Sequence, residues 1–299
     1  MKQYIGVDLG GTQVRVARVS EDGEILQMVS NPSKAMEDAD TIVSNLIATI
    51  RQLDLDQNIV GIGLGVPGPV DTINGRMIMA TNIPALSGYG LVDVIAKEFN
   101  LPTYMDNDAN VAGLAEALIG AGKGLSTVYY VTHSTGIGGA LIVNGQVVSG
   151  KHGHAGEIGN IIIDRYRNKY NHLNAGAIEN EASGPSITRK AKERISKEIK
   201  DTKEVFDLAR QNDPKALELI DEVALDFSIM FSVIAHVCDP DAFVVGGGVT
   251  KSKDVYFDKV IENYKKHVHK NMQGTKFLFA SLKEPGLIGA AMLPKSKGH

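Results

Sequence analysis

Hydrophobic residues along this chain switch repeatedly between strand-like blocks and helical spacing. Positions 4–9 and 14–19 are strand-length apolar blocks separated by Gly10-Gly11-Thr12. With the block after Asp22-Gly23-Glu24, residues 3–29 read as three strands joined by hairpin turns. Ile42, Val43, Leu46, Ile47 and Ile50 then recur at helical spacing within 39–53. Residues 59–66 form an apolar strand running into Pro67-Gly68-Pro69. A helix at 91–99, a strand at 102–105 and an Ala/Leu-rich helix at 110–120 complete the order βββαβαβα. The opening pattern then returns: YIGVDLGGTQVRVAR at 4–18 is matched by TVYYVTHSTGIGGALI at 127–142, again followed by a turn, Asn144-Gly145-Gln146. Downstream, 186–199, 205–210, 214–237, 255–266 and 287–293 have helical spacing. Strands at 242–245 and 276–280 lie between them.

Alternation of strands and helices with one internal repeat predicts an α/β protein with a duplicated βββαβα core. The boundary is expected at 120–124, GAGKG. That gives an N-terminal lobe over 1–120 and a larger C-terminal lobe over 121–299, with the last helix returning to the first lobe. Two copies of a Gly/Thr turn matter more than one. A lone glycine hairpin is usually a tight turn, whereas a pair on two halves suits a nucleotide, since glycine lets backbone N–H groups approach phosphate.

Composition narrows the partners. The chain has 299 residues, 43% apolar and 22% charged, so a sizeable core is available. Net charge is −4 and no polybasic run occurs, which argues against nucleic acid and anionic membranes. The single cysteine, Cys238, ends an apolar helical run and reads as a buried structural thiol. One cysteine permits no intrachain disulfide, which fits a reducing compartment. Asp8 interrupts the apolar start, so no signal peptide is expected, and the protein reads as cytoplasmic.

Four sets of residues could carry chemistry. Asp8-Leu9-Gly10-Gly11-Thr12 combines a carboxylate with a Gly-Gly-Thr turn. It could hold Mg²⁺ through water and meet phosphate oxygens, or be a capped hairpin. Asp106-Asn107-Asp108-Ala109-Asn110 lies between a strand and a helix. One of its polar residues can cap the helix, but four exceed what a cap needs. A carboxylate there can accept a hydroxyl proton while a neighbouring amide orients that hydroxyl. His154-Ala155-Gly156-Glu157-Ile158-Gly159, with Glu179 and Glu181, offers carboxylates for paired sugar hydroxyls, though each Glu alone is more often a solvated group. His152 and His154 read as loop residues. Gly246-Gly247-Gly248 closes a strand and lets a base or ribose lie against backbone, or is a plain turn.

Taken together these segments resemble the ROK family (repressor, open reading frame, kinase) over nearly the whole chain. The matching segments are Asp8–Thr12, Gly65-Val66-Pro67-Gly68-Pro69-Val70, Asn82-Ile83-Pro84, Asn107-Asp108-Ala109-Asn110, Thr135-Gly136-Ile137-Gly138-Gly139, Gly156-Glu157-Ile158-Gly159 and Gly286-Leu287-Ile288-Gly289-Ala290-Ala291. The resemblance implies a two-lobed actin-like ATPase (ribonuclease H-like) sugar-kinase fold and ATP-dependent, Mg²⁺-requiring phosphorylation of a hexose. It implies Asp108 as general base and Asn82, Asn107, Glu157, Glu179 and Gly68 as sugar contacts. Asp8, Gly10, Gly11, Thr12, Thr135 and Gly136 would handle phosphate and Mg²⁺, with Gly247 and Gly248 at the nucleoside, in a homodimer. Glucose, phosphorylated at its 6-hydroxyl, is the first expectation. N-acetylmannosamine or N-acetylglucosamine is the alternative, and a catalytically silent sugar sensor a further one. A repressor of the same family would need a helix-turn-helix ahead of the first phosphate motif, which here begins at Asp8.

Two departures stand out. The family's zinc ligands, a His after Glu-x-Gly and three cysteines, correspond here to Asn160, Tyr170, His172 and Ala177. No structural zinc is therefore expected. Ser134 stands where the second phosphate turn usually has Gly, which an ordinary backbone angle tolerates.

Overall fold

The computed structural model describes residues 1–80 and 82–299. The first half contains β1 (Gln3–Leu9), β2 (Gln13–Ser20), β3 (Ile25–Pro32), α1 (Ala39–Ile50), β4 (Ile59–Val66), the short pair β5 (Val70–Asp71) and β6 (Arg76–Met77), α2 (Leu91–Phe99), β7 (Thr103–Asn107) and α3 (Asp108–Leu118). The second contains β8 (Thr127–His133), β9 (Ile137–Val143), β10 (Gln146–Val147), α4 (Ile178–Ala182), α5 (Gly184–Arg194), α6 (Thr202–Arg210), α7 (Pro214–Cys238), β11 (Ala242–Gly246), α8 (Lys253–His267), β12 (Lys276–Phe279) and α9 (Pro285–Ser296).

The sheets run β3-β2-β1-β4-β7 and β10-β9-β8-β11-β12. The second repeats the first strand for strand, as the internal sequence repeat requires. In the first sheet β1 pairs antiparallel with β2 and parallel with β4, and β4 pairs parallel with β7.

Two compact units result. One comprises Met1–Tyr130, Ala140–Gly156 and Ala280–His299; the other comprises Val131–Gly139 and Glu157–Phe279. The division therefore differs from a single cut at Gly120. Gly113 of α3 lies against Tyr130, Ala140 and Ile142, which draws part of β8 and β9 into the first unit.

In the first unit, α1 buries Ile42, Val43, Leu46 and Ile50 as its spacing predicts, and Asp38 caps it by accepting from Thr41 N at 2.9 Å. The other side of the sheet receives α9. Here two close approaches admit no side chain: a Cβ on Gly63 would lie 1.8 Å from Ala290 O, and one on Gly289 would lie 1.7 Å from Val111 O. Glu116, fully buried at the end of α3, accepts from Ala121 N, Ser281 N and Leu282 N, each at 2.9 Å. This fastens the segment leading into α9. The second unit's core is aromatic, with Phe231 edge-on to Phe243 and Phe277, and Phe227 against Tyr256.

Three local expectations change. The helix expected over 186–199 ends at Arg194, because Ser196 Oγ takes Glu198 N and turns the chain away. The five-residue α4 is too short to show a period. Cys238 is half-buried rather than buried, since it lies at the exposed end of α7. Among the described residues, no helix is long and apolar enough to cross a membrane.

Because the Gly63 contact is with backbone, Gly63→Ala should destabilise by at least the ~1–3 kcal/mol typical of overpacking. Gly274→Ala, where a Cβ meets nothing within 4 Å, should stay within about 0.5 kcal/mol. Urea denaturation of both variants checks this contrast.

Candidate active site

Parallel register collects the first unit's candidates at one sheet edge. Asp8 pairs with Gly65, Gly65 with Asp106, and Val66 with Asn107, so three adjacent strands end together. Binding sites in α/β sheets form at such carboxyl ends. Gly10, Gly11 and Thr12 form the turn leaving β1, with Gly10 N bonded to Gln13 O at 2.9 Å. Gly11 lies beside Asn82, where a Cβ would be 3.2 Å from Asn82 Cβ. Asn107 Nδ2 donates to Gly68 O at 3.0 Å, tying the Pro-Gly loop to the end of β7.

The polar run 106–110 divides its labour. Asn107 is the N-cap of α3, its Oδ1 accepting from Ala109 N at 2.8 Å. Asp106 is buried, accepting from Asn107 N, Asn110 Nδ2 and Ser149 Oγ, and burial pushes its carboxyl above the usual range. Asn110 is buried beneath it. Asp108 is the one exposed residue of the four, on the first turn of α3.

Arg15 was not anticipated from sequence. It stands opposite Asp8 across the β1–β2 hairpin, ion-pairs with it, and reaches Glu284 Oε2 at 2.6 Å. The signal was available, because residues flanking a tight hairpin symmetrically face each other.

The second unit groups Thr135, Gly136, Glu179, Gly247 and Gly248. Ile137 N donates to Glu179 Oε2 at 2.9 Å, which places that carboxylate beside Gly136. Ser134 O accepts from Gly184 N at 2.9 Å, joining the turn to the start of α5. Gly247, at φ 94°, lies so close to β8 that a Cβ would be 2.3 Å from His133 O. Glu157 is exposed at the start of the 3-10 turn Ile158–Asn160. Glu181, by contrast, turns inward to Lys190 Nζ at 2.7 Å and Arg167 Nη1 at 3.0 Å.

A cavity of about 920 Å³ opens beside Ser134, Thr135 and Gly248, floored by Phe206, Val249 and Pro185. Lys192, Lys200 and Lys251 also line it. Its size and apolar floor suit a base and ribose, and its lysines suit phosphate.

The sequence profile of the ROK family matches residues 4–297. The chain belongs to the ROK family. A glucokinase from Thermotoga maritima is 30% identical, aligned over 99% of this chain and 98% of its own. A ROK hexokinase from Thermus thermophilus superimposes with a TM-score of 0.87 at 29% identity, covering 99% of this chain and 100% of that one. A ROK glucokinase from Streptomyces griseus, solved with glucose and AMPPNP, gives 0.75 at 28% identity over 97% and 98%. The fold is thus the actin-like ATPase sugar-kinase fold of ROK hexokinases, with its duplicated core.

At the positions that correspond to the ROK zinc ligands, Asn160 Oδ1 accepts from Asn174 N at 2.8 Å. The Tyr170 ring carries the Arg189 guanidinium 3.7 Å from its centroid, His172 is exposed and Ala177 is buried.

His133, wholly buried at the end of β8, is a second residue that pattern reading passed over. Its Nε2 faces Ala182 O at 2.7 Å and must therefore carry the proton; Nδ1 accepts from Tyr256 OH at 2.9 Å. Burial pulls its pKa down to about 4, from 6.5. Between those values the unfolded chain binds a proton that the folded chain refuses. The stability is complete above pH 6.5 and is lost as pH falls toward 4, by about 3 kcal/mol. His133→Asn keeps a donor and an acceptor but cannot titrate. The stability difference between the two proteins, from denaturation at pH 7 down to 4.5, should shrink by most of that amount.

Proposed function

We propose that this ROK protein is an ATP-dependent hexose kinase that transfers the γ-phosphoryl group to the 6-hydroxyl of an aldohexose, glucose first. The observation that carries the reading is Asp108, an exposed carboxylate on the first turn of α3, directly after Asn107 where the three strands end. In this reading Asp108 accepts the 6-hydroxyl proton as that oxygen bonds to the γ-phosphorus and the bond to the β-bridging oxygen breaks, releasing ADP. Asn107, held by its bond to Gly68, orients the hydroxyl. Asn82, Gly68, Glu157 and Glu179 take the remaining sugar contacts. A site built on such pairing rejects sugars that lack the matching hydroxyls.

Gly10, Gly11, Thr12, Thr135 and Gly136 are assigned to phosphate, and Gly247 and Gly248 to the nucleoside beside the cavity. Asp8 is assigned to Mg²⁺ through water. The donor set fits: Asp8 and Glu284 share the single Arg15 guanidinium, leaving net negative charge for a divalent cation. Bound there, Mg²⁺ would neutralise phosphate charge. The protein is read as a cytoplasmic homodimer without structural zinc.

The test is kcat/KM for glucose, N-acetylglucosamine, N-acetylmannosamine, mannose, fructose and allose. Glucose should lead. Turnover confined to the N-acetylhexosamines would transfer the assignment to them, and none at all would leave a silent sensor. Asp108→Asn should lower kcat by about 10² or more with ATP affinity retained. Near-normal turnover would remove Asp108 from its role. Elemental analysis of tag-free protein should find no stoichiometric zinc.

A further inference from the structure

Loop 161–177 connects the turn that begins at Glu157 to α4, which carries Glu179. Its ends are clamped together: Ile178 N donates to Ile161 O and Ile163 N to Gly176 O, both at 2.9 Å, and Ile162 bridges Ala177. Its middle is held by Asn171, which accepts from Asn180 Nδ2, by the Tyr170 ring under Arg189, and by Arg167, which alone among these reaches buried carboxylates. Arg167 forks onto Asp226 of α7, Nη1 to Oδ2 at 2.6 Å and Nη2 to Oδ1 at 2.8 Å, and Nη1 also reaches Glu181 Oε2 of α4. Asp226 is wholly buried and Glu181 nearly so.

Three consecutive residues of α4 face three different partners. Glu179 accepts from Ile137 N at the phosphate turn, Asn180 Nδ2 donates to Asn171 Oδ1 of the loop, and Glu181 meets Arg167 of the same loop. Residues two apart on a helix point to nearly opposite sides, so Glu179 and Glu181 pull α4 from both flanks. A helix of five residues cannot fix its own orientation, so these side-chain bonds must do so.

We propose that Arg167 is a positioning residue for sugar binding: by locking loop 161–177 and α4 onto α7, it fixes where Glu157 and Glu179 present their carboxylates. This rests on the reading of those two glutamates as sugar ligands. A purely structural ion pair would lower stability without singling out the sugar. Arg167's role is specific because both chain segments that leave its loop end at a proposed sugar contact.

The experiment uses the full chain with Arg167→Lys, Arg167→Gln and the double variant Arg167→Gln/Asp226→Asn. Removing only the guanidinium strands a buried carboxylate and can unfold the protein. The double variant removes both charges and keeps two amides that can pair. Glucose KM, ATP KM, kcat and hydrogen exchange of peptides covering 161–177 are measured. In the double variant glucose KM should rise at least tenfold, ATP KM should move less than threefold, and exchange should quicken about tenfold. Arg167→Lys, which keeps the charge but loses the fork, should fall between it and the unaltered protein. The proposal is overturned by unchanged exchange, by a loosened loop with glucose KM within twofold, or by glucose and ATP KM rising together. If the unaltered protein turns over no hexose, the kinase reading falls and this proposal falls with it. An active protein whose loosened variant binds glucose normally overturns this proposal alone.

Discussion

Three parallel strands that stop at one level decide where the first unit can do chemistry. β1, β4 and β7 are paired so that Asp8, Gly65 and Asp106 stand in one row. One residue past that row each strand ends, giving way to the Gly10-Gly11-Thr12 hairpin, the Pro-Gly loop and the capped start of α3. The row survives because α9 lies directly on β1 and β4, and Gly6 and Gly63 make that approach possible. A slip of one residue in β4 would move Gly68 out of reach of Asn107 and leave the Asn107 amide without that bond.

In the second unit the constraint is electrostatic rather than steric. His133 is kept neutral by burial and held between Ala182 and Tyr256, which pins the end of β8 to α4 and α8. Arg167, Lys190 and Arg194 neutralise Glu181, Glu222 and Asp226 within the helices and the loop beside them. Burying charge is costly unless each group is paired, so such a cluster admits few arrangements and disfavours slippage. Phosphoryl transfer depends chiefly on positioning and charge neutralisation, which is what rigid polar anchors of this kind can supply.

The two glutamates flagged together in the sequence show how one feature can divide. Glu179 and Glu181 sit in the same five-residue helix, yet one meets the turn before β9 and the other disappears into the ion cluster. The run 106–110 divides likewise into cap, buried brace and exposed carboxylate. In both cases the residue type was informative and its direction was not.

Sequence alone determined the order of the longer elements, the internal repeat, the Gly/Thr turns and the polar run after β7, because these depend on local periodicity and on turn chemistry within a few residues. It also carried the family resemblance, since motif order and spacing are linear properties. Only the tertiary structure decided that Asp108 is the exposed member of its run, that Arg15 and Glu284 share the charge of Asp8, and that part of β8 and β9 belongs with α3. Likewise, it alone showed that Arg167 reaches across to Asp226. Those outcomes depend on which distant side chains meet and how much water is left between them, and no spacing along the chain encodes either.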